Sequence, residues 1–207
     1  MKRLLYLFFA GLILISNSGY SQIDSLGYRL YSIVLDDYFQ DIVDSNYVKK
    51  SVFSKKQLVV DTVKYKKVVF SSVSMDYKIR NKESFFNSYT DLNAETLEDF
   101  ENSDYVNKQI DEQFKGLEFE IVLVHPDTIS MIFKKDQENK WHYFYDNYPG
   151  SQGKVSLGNI GLDTNKNQAL IYFSHGTWYR SGLGMIYFLI YKNGSWIIKS
   201  KKIVWRS

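Results

Sequence analysis

The spacing of apolar residues predicts three helical stretches in the chain. They cover residues 25–43, 83–114 and 136–147. Asp24 or Ser25 can cap the first stretch, Thr96 and Ser103 are the expected caps within the acidic second stretch, and Pro149-Gly150 follows the third. Four aromatic residues of the third stretch share one face, as a core-facing helix requires: Trp141, Phe144, Tyr145 and Tyr148.

Runs of β-branched and aromatic residues predict strands between and after these helices. They cover residues 57–63, 67–73, 119–124 and 128–133, and then 155–162, 169–175, 185–192 and 196–205. His125-Pro126-Asp127 has the composition of a turn, and Asn193-Gly194 suits a two-residue type I′ hairpin, in which both central residues need a positive φ. The pattern predicts an α+β fold with helices packed on an antiparallel sheet and a C-terminal four-strand meander.

The segment SHGTWYRSGLG, Ser174 to Gly184, lies between two of these strands and holds the most suggestive side chains. Trp178 and Tyr179 are flat and amphipathic, and Arg180 adds a planar fork of donors. The glycines of the segment permit unusual backbone angles. Two interpretations follow: a recognition surface, or a plug in which Trp178 folds back over the core.

His175 is the strongest of the three histidines as a candidate for chemistry, because it ends an apolar strand beside serines and Arg180. A serine hydrolase needs a nucleophile, a base and an orienting acid. The nucleophile-elbow pattern fails, since Tyr179 stands where a glycine is needed. We expect His175, Trp178, Tyr179 and Arg180 to be binding residues, with a small hydrolase centred on His175 as the alternative.

Three polar features could hold a metal ion, and each has a simpler explanation. Residues 163–167 match the opening of a calcium loop but lack the later glycine and carboxylate, which favours a polar turn. His142 and Asp146 lie four residues apart, as in an exposed helical pair, and show no third ligand. His125 has no evident partner. The sequence therefore predicts no metal and no cofactor.

The chain begins with the pattern of a secretory signal peptide. Lys2 and Arg3 precede an apolar run of 12 residues, Leu4–Ile15, and Gly19-Tyr20-Ser21 supplies the small residues of a cleavage site before Gln22. As a helix, such a run rises only about 18 Å, which is short of the roughly 30 Å of a bilayer core. The pattern therefore predicts export rather than a retained anchor.

Cleavage there would divide the chain into a signal peptide, residues 1–21, and a single domain, residues 22–207. The chain has no cysteine, so lipoprotein anchoring and thiolate zinc sites are not expected, and no second apolar run is long enough to span a membrane. Loss of Lys2 and Arg3 lowers the formal net charge from +3 to +1. Because this charge is near neutral and only five arginines occur in the chain, one of them in the predicted signal, a nucleic-acid partner is not expected.

The C-terminal third, roughly Trp141 to Ser207, carries a specific pattern: an aromatic helix, a YPxSxG corner, a QALhY strand and a final NGxWxI…WxS hairpin. It resembles a group of small secreted proteins common in Bacteroidota and their relatives. The resemblance implies an exported bacterial protein and carries over no catalytic residue. Several of these relatives have cysteines in the segment that matches Ser174–Gly184, and this chain has none. The last hairpin is also similar to that of nuclear transport factor 2-like domains, cone-shaped α+β folds with a pocket.

These features together predict a non-catalytic binding or interaction module of the cell envelope, periplasmic or secreted. The expected partner is an envelope protein, a peptide or a glycan, met at the segment that holds Trp178, Tyr179 and Arg180.

Overall fold

The computed structural model describes residues 21–44, 67–135 and 139–207. In chain order its elements are α1 (Ser25–Asp44), β1 (Lys67–Ser71), α2 (Lys82–Phe86), α3 (Ala94–Glu101), β2 (Glu120–Val124), α4 (Pro126–Lys135), α5 (Lys140–Asn147), β3 (Lys154–Leu162), β4 (Gln168–Trp178), β5 (Ser181–Lys192) and β6 (Ser195–Arg206). Among the helices of these ranges, none is long and apolar enough to cross a membrane. The predicted strand at residues 57–63 and residues 1–20 of the predicted signal peptide lie outside the described residues.

The strands form one six-stranded sheet in the order β2-β1-β3-β4-β5-β6. Strands β3 to β6 are successive antiparallel neighbours, which confirms the predicted C-terminal meander. Strand β1 pairs in parallel with both β2 and β3, so the sheet as a whole is mixed rather than purely antiparallel. Helices lie on both faces of this sheet, and the α+β class is confirmed.

Side-chain alternation along the strands divides the core into layers. Phe70 and Phe173 face helix α1, whereas Tyr172, the neighbour of Phe173, packs with α2 and α3 on the opposite face. Val69, the neighbour of Phe70, packs with α4 and α5. The ends of β4 and β5 therefore lie between α1 on one side and α5 on the other.

Helix α1 begins as predicted, because Oδ1 of Asp24 accepts a hydrogen bond from the backbone N–H of Gly27 at 2.8 Å. Its buried stripe includes Leu30, Tyr31, Val34 and Leu35. The same stripe continues to Tyr38 and Phe39, which places these two rings over the sheet near the end of β4.

The prediction of a strand at residues 128–133 is wrong, because this segment belongs to helix α4. Pro126 starts the helix, where its missing N–H costs nothing and its fixed φ is already helical. Ile129, Ile132 and Phe133 follow at intervals of three and four residues and pack beside helix α5. A short apolar run of this kind suits either a strand or a helix, and the proline decides between them.

The predicted caps at Thr96 and Ser103 are also wrong. Helix α3 is preceded by Asn93, and Thr96 is buried within the helix, with its hydroxyl 3.4 Å from Oε1 of Gln168. Ser103 lies beyond the helix and donates to the carbonyl oxygen of Ile160 at 2.6 Å. Both hydroxyls therefore join α3 to the sheet instead of capping a helix.

Two predicted turns are confirmed. Asn193 and Gly194 have φ angles of 53° and 82°, as a type I′ hairpin requires. The carboxylate of Asp163 accepts hydrogen bonds from the N–H groups of Asn167 and Gln168 at 2.6 and 2.7 Å. Asp163 thus stabilises its own turn between β3 and β4.

Candidate functional site

The segment Ser174–Gly184 is the end of a β-hairpin rather than a long loop, and we call it the hairpin end. Strand β4 continues to Trp178 and β5 starts at Ser181, which leaves only Tyr179 and Arg180 in the turn. Neither turn residue has a positive φ, so large side chains are tolerated there. A bulge just before Trp178 shifts the register of the hairpin, and such bulges re-aim neighbouring side chains.

Trp178 lies against helix α5. Its ring stacks near Trp141 and Tyr145, with centroid distances of 6.4 and 6.2 Å, and meets His142 edge-on at 5.2 Å. The Tyr145 hydroxyl donates to the carbonyl oxygen of Thr177 at 2.8 Å. Because Trp178 is still 41% exposed, it is neither a buried plug nor a free recognition side chain.

Tyr179 is half-buried on the same side as Trp178. Its ring meets Trp178 edge-on at 5.4 Å, and Nζ of Lys140 lies 5.5 Å from its centroid, within range of a cation–π contact. Trp178 and Tyr179 thus anchor the hairpin end to helix α5.

The other side of the hairpin end borders a cavity of about 350 Å³, which we call the hairpin cavity. Side chains from α1, from the segment before β3 and from the ends of β4, β5 and β6 line it. They include Tyr38, His175, Arg180, Ser181, Leu183 and Arg206. The volume lies near the lower end of the roughly 300–1,000 Å³ found for small-molecule sites.

His175 forms part of the floor of this cavity and is 6% exposed. Its Nδ1 lies 2.9 Å from the Tyr38 hydroxyl, and its Nε2 lies 2.7 Å from the carbonyl oxygen of Gln152. Since a carbonyl only accepts, Nε2 must carry the proton and Nδ1 accepts from the tyrosine. The rings of Tyr38 and Phe39 also meet the imidazole edge-on.

Burial lowers the pKa of His175 to about 4, and the hydrogen bond to Gln152 offsets only part of this effect. The ring is therefore neutral at physiological pH. Both of its nitrogens are occupied, and neither of them meets a carboxylate. Ser174 lies beside Met75 on the other face of the sheet. Among the described residues, no carboxylate is therefore placed to orient His175 as the acid of a hydrolase would.

Gly153 permits the close approach that holds His175 in place. Its φ is +105°, and a Cβ at this position would lie 2.4 Å from the carbonyl oxygen of Gly176 and 3.1 Å from Nε2 of His175. The N–H of Gln152 and the carbonyl of Gly153 pair with Lys67 and Val69 of β1. Backbone pairing thus fixes the Gln152 carbonyl that accepts from His175.

Arg180 and Arg206 bring positive charge to the cavity. Leu183 pairs with both His175 and Arg206, so these three residues form one row across β4, β5 and β6. Both arginines are exposed, and among the described residues neither guanidinium forms a salt bridge. Among the residues that the structure describes, no carboxylate side chain lines the cavity.

The other histidines take part in local contacts. His142 packs against Trp178, and it and Asp146 are both exposed on α5. Nδ1 of His125 lies 3.4 Å from a carboxylate oxygen of Asp127 at the start of α4. Within the described ranges, no group of three or more His, Cys, Asp and Glu residues is arranged to hold a metal ion.

The structure divides the four predicted binding residues between two surfaces. His175 and Arg180 line the hairpin cavity, whereas Trp178 and Tyr179 pack towards α5. Sequence reasoning missed Gln152 and Arg206, which come from separate parts of the chain. The nearest signal in the sequence is Gly153, which follows Gln152. A glycine indicates an unusual backbone angle at this position, but it does not indicate a binding site.

Comparison with family models, with curated proteins and with solved structures found no match to this chain in any of the three. The function is therefore inferred from the residues around the hairpin cavity.

Proposed function

We propose that this protein is a non-catalytic binding module that takes its ligand in the hairpin cavity. The observation that carries the proposal is a cavity of about 350 Å³ with a rigid polar floor and two arginines at its edge. A site whose floor is already fixed binds with a smaller loss of side-chain entropy than a mobile one. His175, held from both sides, provides such a floor.

The chemistry of the floor favours binding over catalysis. A general base needs a free lone pair and a pKa near the working pH. The Nδ1 lone pair of His175 accepts from Tyr38, and its pKa of about 4 makes the ring a weak base. The hydroxyl of Thr177 lies 2.9 Å from both the carbonyl oxygen and the hydroxyl oxygen of Ser181. Neither of these two oxygens is a base that would activate the threonine.

The aromatic side of the hairpin end supports the site indirectly. Trp178 and Tyr179 hold the turn on helix α5, and the turn carries Arg180 at the edge of the cavity. The exposed part of Trp178 adds a flat apolar surface on the α5 side of the hairpin end, where a partner peptide could bind.

A second depression, between α2 and α3, is larger, with a volume of about 870 Å³. Both of its lysines already have partners: Lys82 meets the Glu101 carboxylate at 2.9 Å, and Lys78 meets Asp76 at 3.2 Å. Specific ligands are held by convergent polar groups that they can engage. The arginines of the hairpin cavity, which form no salt bridge with any described residue, meet this requirement better.

Filling the cavity tests the proposal without assuming a ligand class. Ser181 is the first residue of β5 and lines the cavity, so the replacement Ser181→Phe places a benzyl group there. Ser195→Phe is the matched control, because Ser195 is likewise the first strand residue after a two-residue turn and lies at the far end of the sheet. We expect members of a mixed set of anionic, neutral and cationic fragments to bind the unmodified protein and Ser195→Phe, but not Ser181→Phe, in ligand-observed NMR. Equal binding to all three proteins, or binding to none, would contradict the proposal.

We also propose that the protein is exported, on the basis of the basic and apolar pattern that precedes Gln22. The carbonyl of Ser21 accepts from the N–H of Gln109, so cleavage before Gln22 would remove one backbone hydrogen bond, while Ile23 is buried beyond it. Mass spectrometry of the tagged chain from fractionated bacterial cells checks this. A periplasmic or secreted product starting at Gln22 is expected, and an uncleaved cytoplasmic product would refute export.

A further inference from the structure

We infer that the ligand of the hairpin cavity is a small organic anion, bound through a carboxylate or phosphate group by Arg180 and Arg206. This inference rests on the proposed function and specifies its ligand class.

The two arginines are placed by backbone pairing on different strands. Arg206 lies opposite Leu183 in the ladder between β5 and β6, and the N–H of Ser207 donates to the carbonyl of Gly182 at 3.0 Å. Arg180 follows Tyr179 in the turn of the hairpin end. The two arginines therefore border the cavity from two separate points of the backbone.

Among the described residues, the charged side chains that line the cavity are both positive. Arg180 and Arg206 have positive side chains, His175 is neutral, and no carboxylate side chain of the described residues lines the cavity. A guanidinium presents its N–H groups in a planar fork that fits two oxygens of a carboxylate or a phosphate. An anion would supply the missing counter-charge, whereas a cation would be repelled.

The remaining lining argues for an organic ligand rather than a bare ion. Phe39 and Leu183 contribute apolar surface, and the hydroxyl groups of Tyr38 and Ser181 are neutral polar groups within the same cavity. The volume of about 350 Å³ exceeds what a single inorganic ion needs. A ligand with an anionic head at the arginines and a compact apolar body would occupy both parts.

Isothermal titration at constant ionic strength tests the inference with four probes: benzoate, phenyl phosphate, inorganic phosphate and benzamide, the neutral counterpart of benzoate. The proteins are the unmodified chain, Arg180→Gln, Arg206→Gln and the control Arg29→Gln. Arg29 is an exposed residue of α1 outside the cavity, so its replacement removes the same charge elsewhere. Thermal melting checks that each variant is folded.

We expect benzoate or phenyl phosphate to bind the unmodified protein and Arg29→Gln with similar affinity. Each cavity variant should bind about tenfold more weakly or worse, as for loss of a charge-assisted hydrogen bond. The preference between the two probes identifies the head group, and tighter binding than inorganic phosphate supports an organic body.

Benzamide binding as tightly as benzoate, or anion affinity unchanged in Arg180→Gln and Arg206→Gln, would overturn the inference. If Ser181→Phe still abolishes binding of neutral fragments in that case, the proposed function stands and only the ligand class is wrong. If Ser181→Phe changes nothing, the proposed function fails as well.

Discussion

The imidazole of His175 lies between two groups that fix its tautomer. The Gln152 carbonyl accepts from Nε2 and the Tyr38 hydroxyl donates to Nδ1, so the neutral ring satisfies both neighbours. A protonated ring would have two donors, and the Tyr38 hydroxyl would then have to turn and accept from Nδ1–H. Burial adds a desolvation cost to the charged form. These contacts hold the ring neutral and in one tautomer.

This depressed pKa predicts how stability depends on pH. The unfolded chain protonates His175 near its ordinary pKa of about 6.5, whereas the folded protein resists protonation down to about pH 4. The contribution of His175 is therefore fully present above pH 6.5 and is lost as the pH falls from there towards 4. We expect a loss of roughly 3 kcal/mol in the free energy of unfolding from this residue.

Urea unfolding of the unmodified protein and of His175→Gln, at pH 7 and at pH 4, isolates this contribution from that of the carboxyl groups. The stability advantage of the unmodified protein should shrink by roughly 3 kcal/mol at the lower pH. An advantage that is the same at both pH values would show that His175 is not held neutral.

At the scale of elements, the hairpin end depends on a close contact between β4 and the segment before β3. Gly153 lies against the Gly176 carbonyl, with a backbone angle that other residues rarely adopt. This contact brings the Gln152 carbonyl to His175 and so shapes the floor of the hairpin cavity.

The replacement Gly153→Ala should therefore destabilise the protein in two ways, through its positive φ and through a clash of the new Cβ with the backbone. Gly150→Ala is the matched control, because Gly150 also has a positive φ, of 73°, but has open space around it. We expect losses of about 3 kcal/mol for Gly153→Ala and about 1 kcal/mol for Gly150→Ala in urea unfolding. Equal losses would mean that the close approach is not a constraint.

Elements with strong local signals could be predicted from the sequence. Asp24 as a cap, the alternation in β3 to β6 and the Asn193-Gly194 turn each depend on residues close together in the chain. The predictions that proved wrong have physical reasons. The run after Pro126 is apolar enough for a strand or a helix, and the parallel pairing of β1 depends on contacts with β2 and β3 far along the chain.

At the scale of the whole molecule, the candidate site could be predicted only in part. His175 and Arg180 were identified because they lie in one short segment with unusual composition. Tyr38, Gln152 and Arg206 reach the same cavity from a helix, a loop and the last strand, and only the tertiary fold brings them together. The fold also separates Trp178, which packs against α5, from Arg180, which follows in the turn and lines the cavity.

The position of the binding site is the central claim, and amide chemical shifts test it most directly. The ¹⁵N-labelled protein is titrated separately with benzoate, benzamide and benzylamine, three compounds of similar shape and different charge. We predict saturable shifts for benzoate that cluster at residues 180–183 and at Gln152, with the smallest shifts for the cationic benzylamine. Shifts that cluster instead at Ile79, Phe86 and Leu97, around the larger depression between α2 and α3, would contradict the account.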